Sequence, residues 1–114
     1  MEDFERKVIR DIRIEIVNLS RATYKEAGEL KKLLNEDIEL HFKKIIVDIR
    51  QCEFIDSTFL GTLVVALKYI AKNSGEIRLV KPKDTVLFLM EKVGTLKIFN
   101  TYETLEEAVA SFDT

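Results

Sequence analysis

Cysteine occurs once in these 114 residues, at Cys52, and histidine once, at His41. No internal disulfide can form and no Cys/His cluster is available for structural zinc, so no metal is expected. Proline also occurs once, and the four glycines, Gly28, Gly61, Gly75 and Gly94, are dispersed. That dispersal leaves no glycine-rich phosphate loop, and no cofactor is expected. No apolar run approaches the roughly 20 residues of a membrane span. The start, Met1-Glu2-Asp3-Phe4-Glu5, is too acidic for a signal peptide. The expectation is a cytoplasmic protein without membrane insertion. An excess of positive charge is missing too. A net charge of −2, with Lys and Arg scattered, argues against a nucleic-acid partner, which needs a concentrated basic face.

What is present is 46% hydrophobic and 33% charged residues, a balance that excludes a disordered or fibrous chain. The length suits one domain over residues 1–114 with a single core, burying roughly two thirds of its unfolded surface. No internal repeat, linker or low-complexity segment divides it.

From Phe4 to Leu19 the pattern predicts two short strands or one long bent one. Ile12, Ile14 and Ile16 alternate with Asp11, Arg13 and Glu15, the period of a half-buried strand. The phase changes at Val17 and Leu19, which predicts a bulge or a segment covered on both faces. After a polar connector, Ser20 to Thr23, the residues Ala27, Leu30, Leu33, Leu34 and Ile38 fall at helical spacing. Lys44-Ile45-Ile46-Val47-Asp48-Ile49 is apolar and mostly β-branched, as suits a central strand covered on both sides.

A second helix is predicted from Ser57 to about Asn73, with Leu60, Leu63, Val64, Leu67, Ile70 and Ala71 as its core stripe. A strand at Ile77, Leu79 and Val80 follows. Beyond Lys81-Pro82-Lys83-Asp84 comes a third helix bearing Val86, Leu87, Met90 and Val93, closed by Gly94. A short strand around Ile98-Phe99 precedes Thr104-Leu105-Glu106-Glu107, a capping box for the last helix, whose apolar residues are Ala108, Val109 and Phe112. Strands alternating with helices predict an α/β layer structure: a small mixed sheet of about 4–5 strands flanked by about four helices.

The polar break Phe54-Ile55-Asp56-Ser57-Thr58-Phe59-Leu60-Gly61 is the candidate functional stretch. Asp56 and Ser57 are both good N-cap residues, and as caps alone they are worth about 1 kcal/mol. A helix N-terminus also favours phosphate, because free backbone N–H groups and the dipole attract negative charge there. Rotation by about 100° per residue puts Ser57, Thr58, Gly61, Thr62, Val65 and Tyr69 opposite the core stripe, together with Lys68 and Lys72. This face is less charged than a solvated helix face usually is, and it can accept a partner. Phe59 lies at the flank of the stripe, either partly buried or an anchor beside Ser57.

Two rival sites are weaker. Asp48 and Lys81-Pro82 resemble the phosphoacceptor and Lys-Pro pair of receiver domains. Only one helix and one strand fit between them, where the receiver order needs about two such units of roughly 20 to 30 residues each. The acidic pair that would hold Mg²⁺ is replaced by the neutral Val17-Asn18-Leu19-Ser20. Cys52 with His41 lacks an orienting group and an oxyanion hole, and a lone cysteine beside a strand is more often a small buried hydrophobe.

Ile45-Ile46-Val47-Asp48-Ile49, then Phe54-Ile55-Asp56-Ser57-Thr58, then Leu60-Gly61 resemble the STAS domain, the family of anti-sigma factor antagonists and sulphate-transporter tails. The likeness extends through Arg78-Leu79-Val80-Lys81-Pro82, Val93-Gly94-Thr95-Leu96 and Tyr102-Glu103-Thr104-Leu105-Glu106-Glu107-Ala108. The resemblance implies a small sheet flanked by helices in a non-enzymatic bacterial signalling module. It also implies a partner that is both anti-sigma factor and serine protein kinase, with Ser57 as phosphoacceptor, Asp56 its neighbour and Thr58 a secondary hydroxyl. Phe59 stands where the family usually has Gly in Asp-Ser-Ser-Gly-Leu, and Ser20 to Lys25 lacks the family's common Gly and Asp. A different use of the same fold is a non-phosphorylated binding module, or an accessory subunit holding a small ligand, a lipid or a transporter component.

Overall fold

A computed structural model describes residues 2–113. The chain begins with a hairpin in which β1 (Phe4–Ile9) and β2 (Ile12–Val17) pair antiparallel. The register runs unbroken from Phe4 opposite Val17 to Ile9 opposite Ile12, so the phase change at Val17 is not a bulge. It arises because β2 is covered on both faces. Arg10-Asp11 makes the turn, with Arg10 in the left-handed region at φ 55, as tight hairpins require.

The remaining elements are β3 (Arg21–Ala22), α1 (Tyr24–Glu39), β4 (Lys44–Asp48), β5 (Phe54–Ile55), α2 (Ser57–Ala71), β6 (Glu76–Val80) and α3 (Asp84–Lys92). A 3₁₀ turn (Thr95–Lys97), β7 (Thr101–Tyr102) and α4 (Leu105–Ser111) follow. The main sheet has the order β1-β2-β4-β6-β7. Only β1 is antiparallel in it, which gives the mixed α/β fold with four α-helices that the sequence pattern predicts. A parallel β3-β5 pair forms a second, two-stranded sheet.

β4 lies at the centre, with Ile45, Ile46 and Val47 without exposure. Successive residues of a strand point to opposite faces, and the two faces feed different cores. Ile45 and Val47 join the larger cluster with Leu30 and Leu34 of α1, Leu63 of α2 and Val86 of α3. Ile46 joins Ile12, Ile14 and Val80 under Ala108 and Val109 of α4.

Several expectations need correction. Glu15, assigned to the solvent side of a half-buried strand, has no exposure, because α1 covers that face of β2. The connector Ser20 to Thr23 contains β3, and Thr23 starts α1 through a full capping box with Glu26. The strand placed at Ile98-Phe99 is Thr101–Tyr102 instead. Gly94 takes φ 80, the 3₁₀ turn follows it, and Phe99 is spent as a core residue. At α4, Thr104 accepts from the Glu107 N–H at 3.1 Å, but the Glu107 carboxylate reaches the N–H of Glu103 at 3.2 Å, so the predicted box is only half formed.

The core side of α2 is also rotated from the predicted stripe. Phe59, Leu60, Leu63, Ala66 and Ile70 are buried, whereas Ala71 is exposed and Val64 and Leu67 are half-buried. Apolar residues nearly encircle this helix, so hydropathy alone does not define its buried side.

Candidate functional site

The site is built where β5 ends. The two-residue β3-β5 pair sets Arg21 opposite Phe54 and Ala22 opposite Ile55. The Asp56 N–H extends this pairing by donating to the Ala22 carbonyl at 3.0 Å. Asp56 is thereby held between the first turns of two helices. Its Oδ1 accepts the Phe59 N–H at 2.9 Å, capping α2, and its Oδ2 accepts the Tyr24 N–H of α1 at 2.7 Å. One carboxylate satisfies an orphan donor at each helix start, where the two positive dipole ends converge.

Ser57 and Thr58 are exposed at the beginning of α2, as their place beside the cap predicts. Among the described residues no hydrogen bond holds the Ser57 hydroxyl. Both Asp56 oxygens are occupied by backbone donors, so Asp56 is not placed as a base for that hydroxyl. Around this end, Ser20 Oγ donates to Glu53 Oε2 at 2.7 Å and Thr85 Oγ1 donates to the Glu53 carbonyl at 2.8 Å. The Arg21 guanidinium lies 4.3 Å from the centre of the Phe54 ring.

From Thr58 the outer face of α2 forms one wall of a groove of about 460 Å³. Gly61, Thr62, Val65 and Tyr69 continue that wall, and Lys31, Leu34 and Asn35 of α1 form the other. Val65 is 67% exposed and Tyr69 56%, large values for apolar and aromatic side chains. Gly61 keeps the floor open, since a Cβ built there meets nothing within 4 Å.

The structure therefore brings together Asp56, Ser57, Thr58, Gly61, Thr62, Val65 and Tyr69. It does not bring Phe59 to the surface: that ring has no exposure and belongs to the larger core. Phe59 supports the first turn of α2 from beneath, because the position two after Ser57 points into the protein. Sequence reasoning missed the contribution of α1. The signal was Thr23-Tyr24-Lys25-Glu26, whose capping pattern starts a helix at Tyr24.

The rival sites are structural. Asp48 is buried and paired with Arg50, Nη2 to Oδ2 at 2.8 Å. Cys52 is buried, and burial, then the charge of Asp48, pushes its thiol up to about 12, so the nucleophilic thiolate is suppressed. His41 is exposed after α1 and does not reach it by any contact among the described residues. No helix of the described residues is long and apolar enough to cross a membrane.

Comparison with known proteins places this geometry. A Thermotoga maritima protein described as a candidate anti-sigma factor antagonist is 29% identical over 107 residues, covering 93% of this chain and 94% of the relative. The crystal structure of a T. maritima protein so described superposes with a TM-score of 0.89 at 27% identity, covering 97% of this chain and 95% of that one. The phosphorylated form of the Bacillus cell fate determinant SpoIIAA shares the fold, with a TM-score of 0.75 at 17% identity over 96% of this chain and 98% of that one. The family model of the STAS domain matches residues 2–108, a span that contains the whole sheet, the Asp56 junction and the α1-α2 groove, and the chain belongs to the STAS domain family.

Proposed function

We propose that this protein is an anti-sigma factor antagonist that docks on an anti-sigma factor with serine kinase activity and is switched off by phosphorylation of Ser57. The observation that carries the reading is the exposed, unengaged Ser57 at the start of α2, with the groove of Thr58, Gly61, Thr62, Val65 and Tyr69 running away from it along the same helix. The description of the Thermotoga relative supports it. In this role the domain is a substrate and a binder, acting in the cytoplasm on transcription without catalysing a reaction.

Phosphate adds roughly −1.5 to −2 charge beside Asp56 and Glu53. The added charge has to leave water when a partner covers Ser57, while the helix N-terminus accommodates the phosphate internally. Docking then fails without refolding. The test is binding of Ser57→Ala and Ser57→Asp to a serine-kinase anti-sigma factor from the same organism. Ser57→Asp is expected to bind more weakly, with thermal stability within about 1 kcal/mol of the parent. Equal binding by the two variants overturns the switch.

A second reading, a small-ligand or transport accessory module, is favoured by one observation. At the other end of α2 a cavity of about 720 Å³ combines apolar Leu67, Ile77 and Ile98 with Lys43, Lys44 and Lys68. Mass spectrometry of protein from its native cell separates the readings: phosphate on Ser57 supports the first, and a co-purifying small molecule with unmodified Ser57 supports the second.

A further inference from the structure

Glu15 of β2 and Asp37 of α1 both have no exposure. Ionised carboxylates are rarely buried so fully without paired charge. The cations that face them are Arg6 of β1 and Arg13 of β2. Arg6 Nη2 donates to Glu15 Oε2 at 3.0 Å, to Asp37 Oδ1 at 2.8 Å and to the Leu33 carbonyl at 3.2 Å. Its Nε donates to both Glu15 oxygens, and its Nη1 donates to Glu36 Oε1 at 3.0 Å. Arg13 Nε donates to Asp37 Oδ1 at 2.7 Å, with its guanidinium over the Phe42 ring. On the β4 side, the neighbour of Glu15 is the apolar Val47. The charged groups of the cluster are thus Arg6, Arg13, Glu15, Glu36 and Asp37.

Two features do not fit a fully ionised cluster. Glu15 and Asp37 would both carry charge out of water, whereas the Glu36 side chain is 40% exposed and solvated. Asp37 Oδ2 is also buried with no donor, because both arginines bond to Oδ1. Glu15 Oε2 and Asp37 Oδ1 share one donor, Arg6 Nη2, at 3.0 and 2.8 Å, which sets the two buried carboxyls side by side, and such a pair is relieved of like-charge repulsion when one of them holds a proton.

We propose that Glu15 is protonated in the folded protein and donates its hydrogen to Asp37, making the pair a one-proton clasp that seats α1 on the β1-β2 hairpin and loosens when the proton leaves. The proton removes one of the two buried like charges and can supply the donor that Asp37 Oδ2 lacks. Burial, and next the hydrogen bond with Asp37, push the Glu15 carboxyl up to about 8 against the opposing pull of Arg6. An unfolded chain releases this proton near the ordinary glutamate value of about 4.3. Between these values folding takes up one proton, so stability falls as pH rises through the window and levels off above about pH 8. Loosening acts on the helix that carries Lys31, Leu34 and Asn35 of the groove.

Thermal unfolding from pH 5.5 to 9 of the parent and of Glu15→Gln tests this. Gln keeps a donor for Asp37 and an acceptor for Arg6 but cannot ionise. The parent Tm is expected to fall by several degrees across the range relative to a flatter Glu15→Gln profile, and parallel profiles overturn the clasp. Should Glu15→Gln not fold, carbon-13 titration of the Glu15 carboxyl in the parent decides: a midpoint above about 7 supports the proposal and one below it overturns it.

Discussion

Asp56 and Tyr24, 32 positions apart, are joined by a 2.7 Å hydrogen bond from the Tyr24 N–H to Asp56 Oδ2. The other carboxylate oxygen caps α2 at Phe59, so a single side chain ends two helices.

Asp56→Ala removes both caps and is expected to destabilise the protein by about 2 kcal/mol, twice the typical loss at one N-cap. Asp56→Asn keeps one acceptor oxygen and should lose about half of that. Urea unfolding of the three proteins measures the series. An Asn variant as stable as the parent would show that one of the two bonds contributes nothing.

Gly61 sits within α2, where glycine costs roughly 0.5–1 kcal/mol relative to alanine. Because a Cβ there meets nothing within 4 Å, Gly61→Ala is expected to raise stability by about that amount. Its methyl group enters the groove and is expected to weaken partner binding. Calorimetric titration against the anti-sigma factor checks the second half, and unchanged affinity would place the docking surface elsewhere.

Phe59 has no exposure. Phe59→Ala should cost about 3–5 kcal/mol, the usual range for a core phenylalanine. A surface anchor would lose affinity instead and leave the unfolding midpoint nearly unchanged. Comparing the two readouts for one variant tells these roles apart.

Much of the frame was legible because strong local patterns coincide with the tertiary outcome. Ile45-Ile46-Val47 reads as a central strand, and Asp56-Ser57 reads as a helix start. Both readings survive in the structure. The misses share a cause, which is that burial depends on partners distant in sequence. Glu15 alternates like a surface residue, yet Arg6 and α1 enclose it. The rotation of α2 about its axis was not legible, since Val65 and Leu67 are as apolar as the residues that face the sheet. The α1 wall of the groove was invisible for the same reason: Lys31 and Asn35 are ordinary helix-surface residues until α2 lies beside them.

The sheet has α1, α2 and α3 on one face and α4 alone on the other, seated through Ala108 and Val109 with Leu105 and Phe112 packed beside them. The seven residues of α4 are the helical cover of this face among the described residues, so their opening is a local event. Their fraying exposes Ile12, Ile14 and Ile46 and leaves the Asp56 junction closed on the opposite side. The molecule can thus breathe at its back while its recognition face keeps its shape, and a partner meeting that face incurs little entropy loss from ordering it.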